Sequence, residues 1–180
     1  KILEEKLKHI EVEILLEKMN EEEFIDLFEE GLKNAAFSLS DDRREYIASI
    51  VANGISNEDI ETANLKYLLK ILNDLNDAQI IILKYQSISP MDKREYYKKH
   101  QNVLEKTRGF LESPQSVIDK VTFQDSIEQY LVTRGLLNPR YPSIKKGDVP
   151  EFDKKTGKMK SNGYEITNLG RILLRNIGLM

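Results

Sequence analysis

The 180-residue sequence contains no cysteine and no tryptophan, and it has no long apolar run. Without cysteine, the chain forms no disulfide, has no thiolate nucleophile and offers no cysteine ligand for zinc. The longest uninterrupted apolar run, residues 80–83, is far shorter than the roughly 20 residues that cross a bilayer. We therefore expect a cytoplasmic protein with no membrane span in this chain. Because the chain begins at Lys1 and not at Met, it is also compatible with a longer protein that has an upstream domain or anchor.

Glycine (9 residues) and proline (5 residues) are scarce, and three of each lie between residues 138 and 163. Such clustering is typical of a loop. Outside this loop, apolar residues recur mostly at helical spacing, and charged residues make up 32% of the chain. The length suits one large domain or two small ones. We predict a mainly α fold, with a helical bundle over residues 1–88 and a winged-helix-like domain with a small β-wing over residues 89–180.

The first predicted helix, over residues 2–19, has an apolar seam with spacings of four, three and four residues. This pattern is typical of a helix that pairs with another helix. The seam gives the candidate self-association residues Leu3, Leu7, Ile10 and Ile14. We therefore expect either a homo-oligomer or another protein partner.

The remaining pattern predicts further helices from their caps and apolar periods. Gly54 is predicted to lie just past the end of a third helix, in the left-handed conformation. The short run over residues 78–85 is apolar on all sides and is predicted to be central to the core. A polar helix rich in tyrosine and lysine is predicted over about residues 91–111. Another is predicted to begin at Thr122 and to end at Gly135.

The C-terminal third predicts a strand, a basic loop, a second strand and a final helix. Leu136-Leu137 and residues 164–166 are the two strand candidates, and Thr167 is the predicted N-cap of the last helix. This order is that of a winged helix. The segment Tyr164-Glu165-Ile166-Thr167 with Gly170 also resembles an ending found in winged-helix regulators of the multiple-antibiotic-resistance and phenolic-acid-repressor type. The resemblance implies a fold more directly than a function.

The charge distribution allows nucleic acid as a partner. Residues 1–90 carry a net charge of −9, whereas residues 91–180 carry +6. The alternatives are attraction between the halves and a merely well-solvated basic loop. The candidate recognition helix over residues 123–134 exposes two acids and one arginine, a poor match for a phosphate-lined groove. The candidate nucleic-acid contacts are Gln124, Ser126, Gln129, Arg134, Lys154, Lys155, Lys158, Lys160, Arg171 and Arg175.

Residues 44–84 resemble helical bacterial proteins of the abortive-infection alpha family. The resemblance rests on Ala52-Asn53-Gly54, on Leu75-Asn76-Asp77-Ala78, and on a closing Ile166-Thr167 with Gly170. A His-Pro pair often found in that family is absent, and residues 61–64 stand near its place. The resemblance implies a bacterial or phage-related cytosolic protein, with a role in antiphage defence and no catalytic residues to carry over.

We find no catalytic constellation in the sequence and predict a non-catalytic protein without cofactors. His9 and Glu13 stand four residues apart on one helix, but no third metal ligand follows at a sensible spacing. His100 lies among lysines without a nearby acid to orient it. No glycine-rich phosphate loop is present. The function we expect is a protein-interaction or adaptor module, with a winged-helix DNA-binding regulator as the alternative.

Overall fold

The computed structural model describes residues 2–8, 11–56, 60–110, 112–144, 147, 149–152, 157 and 159–180. It is mainly helical with a small antiparallel sheet, as the sequence predicts at this level. The helices are α1 (Ile2–Leu7), α2 (Val12–Lys18), α3 (Glu22–Phe37), α4 (Asp41–Ser56), α5 (Thr62–Asp74), α6 (Asp77–Ser87), α7 (Lys93–Lys99), α8 (Gln101–Leu104), α9 (Gln115–Thr133) and α10 (Asn168–Asn176). The strands are β1 (Leu137–Pro139) and β2 (Tyr164–Ile166).

The chain forms two compact units. Unit 1 comprises residues 1–76 together with residues 172–180, and unit 2 comprises residues 77–171. The division predicted from sequence, at residue 88, assigns α6 to the first domain, whereas the contacts within the chain assign α6 to unit 2. Across the parts of the chain that the structure describes, no helix combines the length and the apolar character needed to cross a bilayer.

Helix α4 is the centre of unit 1 and packs against α1, α3 and α5. Its apolar residues Ile47, Ile50, Val51 and Ile55 are all buried, because they recur on the faces that meet these neighbours. The partner helices bury Phe24 and Leu27 from α3 and Leu65, Leu68, Leu69 and Leu72 from α5. Burial of this many large apolar side chains is the main stabilising contribution to the unit.

Two polar contacts fix the ends of helices in unit 1. The Arg43 guanidinium donates to the backbone carbonyl oxygen of Leu72 at 2.7 Å and also to that of Leu75, where α5 ends without helical partners for its last carbonyls. Asn53 of α4 donates its side-chain amide to the Asn176 amide oxygen at 3.0 Å. Asn176 is almost completely buried, so this bond satisfies a polar group that would otherwise be costly to bury.

Unit 2 is built around α6, which packs against α8, α9 and β2. Ile80, Ile82 and Leu83 of α6 are buried, which confirms the prediction of a central position for this run. Strands β1 and β2 pair antiparallel with Leu137 opposite Ile166. The strand pairing confirms both sequence-predicted strands, although β1 begins one residue and ends two residues later than predicted.

Thr167 forms a compact corner between the strands and α10. Its hydroxyl donates to the Gly135 carbonyl oxygen at 2.7 Å and accepts from the Gly170 backbone N–H at 3.0 Å. The second bond is the N-cap predicted from the sequence. Gly135, where this helix was predicted to end, lies just past α9 and has φ of +71°, the left-handed conformation common after a helix end. A Cβ on Gly170 would lie 2.6 Å from the Leu136 carbonyl oxygen, so only glycine allows this approach.

The prediction of one helix over residues 2–19 is wrong. Helix α1 ends at Leu7 and α2 begins at Val12, and Glu11 between them is extended, with φ of −60° and ψ of 136°. His9 and Ile10 lie outside the described residues. The two helices are separate because α1 folds onto α4, a contact that local periodicity cannot reveal.

Three further helix predictions are corrected. The helix predicted over 91–111 is two short helices, α7 and α8, followed by non-helical backbone over residues 105–110. The helix predicted from Thr122 begins at Gln115, because Pro114 suits the residue before a first turn. Gly54 lies inside α4 and not beyond its end. Its missing side chain lets Leu27 and Phe24 approach to about 3 Å of where a Cβ would be.

Candidate interaction surfaces

Helix α1 lies between two cavities in unit 1. The first, about 600 Å³, lies between α1, α3 and α4, and Ile2 and Leu3 form the α1 side of its wall. The second, about 570 Å³, is more polar, and Glu5, Lys6 and Arg175 are among its lining residues. No side chain of α1 is fully buried. The helix therefore covers the surface of α4 without filling the space on either side.

Helix α2 exposes an apolar stripe. Val12, Leu16 and Met19 are spaced i, i+4 and i+7, so their side chains lie on one face of α2. Met19 is the first residue after the end of the helix. Their side chains are 65%, 61% and 38% exposed. A contiguous apolar surface of this kind is typical of an interaction site. The same spacing is visible in the sequence, but the predicted self-association seam through Leu3 lies on a different helix face.

Of the four candidate self-association residues, the three that the structure describes lie on two separate helices. Leu3 and Leu7 are half-buried on α1, and Ile14 is 41% exposed on α2. Ile10 lies outside the described residues. Self-association through these four residues stays a prediction, whereas the stripe Val12–Leu16–Met19 is the more accessible apolar face.

Helix α9 carries three of the candidate nucleic-acid contacts, and a fourth, Arg134, is the residue just after it. Ser126, Gln129 and Arg134 are exposed. The Gln124 amide instead accepts from the Thr107 backbone N–H at 3.0 Å and donates to the Glu105 carbonyl oxygen at 2.7 Å. Gln124 therefore holds residues 105–107 against α9, and both ends of its amide are already engaged.

The charge and the exposed apolar residues of α9 differ from those of a typical DNA-reading helix. Lys106 forms an ion pair with Glu128 at 2.8 Å, and its ammonium group lies 5.9 Å from the centre of the Tyr164 ring. Burial, followed by the charge of Glu128, raises the pKa of the Tyr164 hydroxyl above its ordinary value. Phe123 on the same helix is 70% exposed. An exposed aromatic side chain on a helix with a net negative charge suits a protein surface better than a phosphate backbone.

The loop between β1 and β2 continues the antiparallel hairpin beyond the two strands. Beyond the strands, the Arg140 backbone N–H donates to the Gly163 carbonyl oxygen at 2.8 Å. Further out, Phe152 pairs antiparallel with Met159. Lys160 reaches back to the Glu151 carboxylate at 3.0 Å, which reduces its availability to a phosphate. Lys154, Lys155 and Lys158 lie outside the described residues.

The two arginines of α10 belong to different units. Arg171 is exposed in unit 2, whereas Arg175 is in unit 1 and lines the cavity of about 570 Å³. Their i, i+4 spacing places them on one side of the helix. Arg175 therefore lines a cavity whose wall also includes Glu5 and Glu45, which the sequence did not indicate.

An aromatic cluster joins α6 and α7 in unit 2. Tyr85 stacks on Tyr96 with ring centres 6.5 Å apart, and the Lys93 ammonium lies 4.9 Å from the Tyr85 ring centre. The His100 ring is 4.5 Å from that of Tyr96. Burial, reinforced by the charge of Lys99, lowers the pKa of His100. Sequence reasoning missed this cluster because Tyr85 and Tyr96 come from different helices.

No protein-family model matches this chain, and no curated protein or solved structure is found to be similar to it. Within the described residues, no three side chains of His, Asp or Glu come close enough together to hold a metal ion.

Proposed function

We propose that this chain is a non-catalytic interaction module that self-associates through α1 and α2. The observation that carries the proposal is the exposed stripe Val12–Leu16–Met19, next to a helix that leaves cavities on both of its sides. In water, two such stripes gain free energy when they cover each other. The short helices α1 and α2 bury no side chain completely in the single chain, so a second copy can complete their packing.

The self-association proposal is tested by measuring molar mass against concentration. Light scattering or sedimentation of the intact chain should show a dimer or larger species as concentration rises. Leu16→Glu should shift the association midpoint at least about tenfold, because it places a charge in the buried centre of the interface. Glu13→Gln, a change on exposed α2 that leaves the stripe intact, is the matched control. A strict monomer at all concentrations would refute the proposal.

We further propose an adaptor role in bacterial antiphage defence, in the cytoplasm. Its support is the resemblance of residues 44–84 to the abortive-infection alpha family. Expression of the chain in a bacterial host should then lower the efficiency of phage plating. The Leu16→Glu chain should lose that protection at equal protein level. Equal plating with and without the intact chain would count against the defence role.

The second candidate function is duplex DNA binding by a winged-helix arrangement in unit 2. It is favoured by the order α6, α7 with α8, α9, β1, wing and β2, which is that of a winged helix. The loop over residues 138–163 adds seven Lys and Arg residues against three Asp and Glu residues. The acidic, apolar character of α9 places this function second.

DNA binding is tested by the salt dependence of the affinity for a duplex. Binding should weaken steeply with salt if several phosphates are contacted. It should be lost when four wing lysines are changed to glutamate, and kept when the same four are changed to arginine; the four are Lys154, Lys155, Lys158 and Lys160. No binding at low salt would exclude this function.

A further inference from the structure

Helix α1 packs over an apolar surface of α4 that would otherwise be exposed to water. Ile47 and Val51 line the cavity of about 600 Å³, yet they are only 2% and 1% exposed. Across the cavity, Ile2 and Leu3 supply the opposing apolar side chains. If α1 left this position with nothing in its place, large apolar side chains would meet water at considerable cost.

The local sequence does not require the break between α1 and α2. Residues 8–11, Lys-His-Ile-Glu, contain neither glycine nor proline, the two residues that most often interrupt a helix. The seam Leu3, Leu7, Ile10 and Ile14 continues across the break with the spacing of one unbroken helix. The extended backbone at Glu11 therefore reflects the folding of α1 onto α4, in conflict with the local preference.

A straight helix over residues 2–18 would satisfy the local preference but lose the contact of α1 with its own α4. Residue 2 would then lie about 15 Å from residue 12 along the helix axis. The α1 segment could regain an identical apolar surface only on another copy of the chain. Exchange of the same element between copies is a low-cost route to a dimer, because each contact is preserved.

We propose that two copies of this chain exchange α1, so that α1 of each copy covers α4 of the other. This inference rests on the proposed self-association. It adds that the binding segment is α1 of a second copy and that the surface it covers is α4. The α2 stripes lie beside the point of exchange in sequence, so their mutual burial would favour the exchanged state over two closed chains.

The exchange is tested by cross-linking in a chain that has no cysteine of its own. One copy carries Lys6→Cys on α1, and a second copy of different tag length carries Ala52→Cys on α4. Both positions line the cavity of about 570 Å³. After incubation of the mixed copies at high concentration, a short bismaleimide should join the two copies. Lys33→Cys, at an exposed α3 position that lines neither cavity, replaces Ala52→Cys as the control for chance collisions.

A proline at the break gives a second, independent test. Glu11→Pro suits the observed φ of −60°, but a proline there would interrupt a straight helix. It should weaken the dimer at least about a hundredfold. Glu11→Ala, which favours the helix, should strengthen the dimer or leave it unchanged.

The outcomes separate this inference from the self-association on which it rests. A cross-link between copies that Glu11→Pro abolishes supports exchange. A dimer in light scattering with no cross-link above the Lys33→Cys control overturns exchange and leaves self-association standing. A strict monomer in light scattering, with no cross-link between copies above the Lys33→Cys control, overturns both.

Discussion

The close approach of α3 to α4 predicts a strong coupling between Gly31 and Val51. A Cβ on Gly31 would lie 2.5 Å from the Val51 Cγ2 atom, whereas carbon atoms in contact normally stand about 3.5–4.0 Å apart. Val51 is almost completely buried and is β-branched in a helix, so its χ1 angle is nearly fixed. The added methyl group in Gly31→Ala must therefore force the two helices or the Val51 side chain to move.

Two opposing effects set the magnitude. Replacing a helical glycine by alanine stabilises the helix by about 1 kcal/mol, and forcing an extra carbon into a packed core costs about 1–3 kcal/mol. We expect Gly31→Ala to lower the free energy of unfolding by about 0–2 kcal/mol. In a Val51→Ala background the obstructing methyl is gone, so the same change should stabilise by about 1 kcal/mol. The coupling between the two sites should then be about 1–3 kcal/mol.

The assay is urea denaturation of the four proteins of this double-mutant cycle, followed by far-UV circular dichroism. The transition to compare is that of unit 1, which contains both helices. Gly54→Ala in the same two backgrounds is the control, because its nearest contacts, Leu27 at 3.0 Å and Phe24 at 3.2 Å, do not include Val51, so its effect should be the same in both. If Gly31→Ala changes stability equally in the two backgrounds, within about 0.5 kcal/mol, the steric argument is wrong.

Three further predictions concern unit 2. Thr167→Val removes a hydroxyl that caps α10 and bonds to the Gly135 carbonyl, so it should lower the free energy of unfolding in urea by about 1–3 kcal/mol; Thr167→Ser should cost clearly less, and equal losses would contradict the cap. Gly170→Ala places a carbon 2.6 Å from the Leu136 carbonyl oxygen, a backbone atom that cannot rotate away, so the free energy of unfolding should fall by about 1–3 kcal/mol. An unchanged urea midpoint would show that the backbone around Thr167 shifts to accommodate the methyl group without cost. Burial lowers the pKa of His100, so the unfolded chain binds the proton more readily and stability should fall as pH drops below the ordinary pKa of 6.5. His100→Gln should flatten that part of the pH dependence of thermal unfolding, and identical slopes would count against it.

Local signals predicted the corner at Thr167 correctly because a few neighbouring residues determine it. A hydroxyl three residues before a free N–H, and a glycine where the chain must turn left-handed, act within a single turn. The same reasoning failed at Gly54, where glycine serves close packing against Leu27 inside a helix. It also failed at Glu11, which is extended where a continuous helix is predicted, while α1 packs on α4.

The candidate surfaces were harder to predict than the fold because they depend on partners distant in sequence. Ser126 and Gln129 are exposed on a helix as expected, but the role of Gln124 depends on backbone groups 17 and 19 residues away. Lys160 was predicted as a candidate nucleic-acid contact, and the hairpin pairing brings Glu151 to it. Such contacts follow from the path of the chain, which periodicity along one element cannot supply.

The discontinuous composition of unit 1 has a consequence for how the protein is made. Residues 172–180 contribute the buried Leu173, Leu174 and Ile177 to a unit whose other residues, 1–76, are synthesised first. At about 5–20 residues per second, the ribosome needs roughly 5–20 s to add the intervening segment. During that interval α3, α4 and α5 emerge without the residues that complete their core, whereas residues 77–171 are already contiguous. Unit 1 therefore cannot complete its core until residues 172–180 have been added, by which time all the residues of unit 2 have been synthesised.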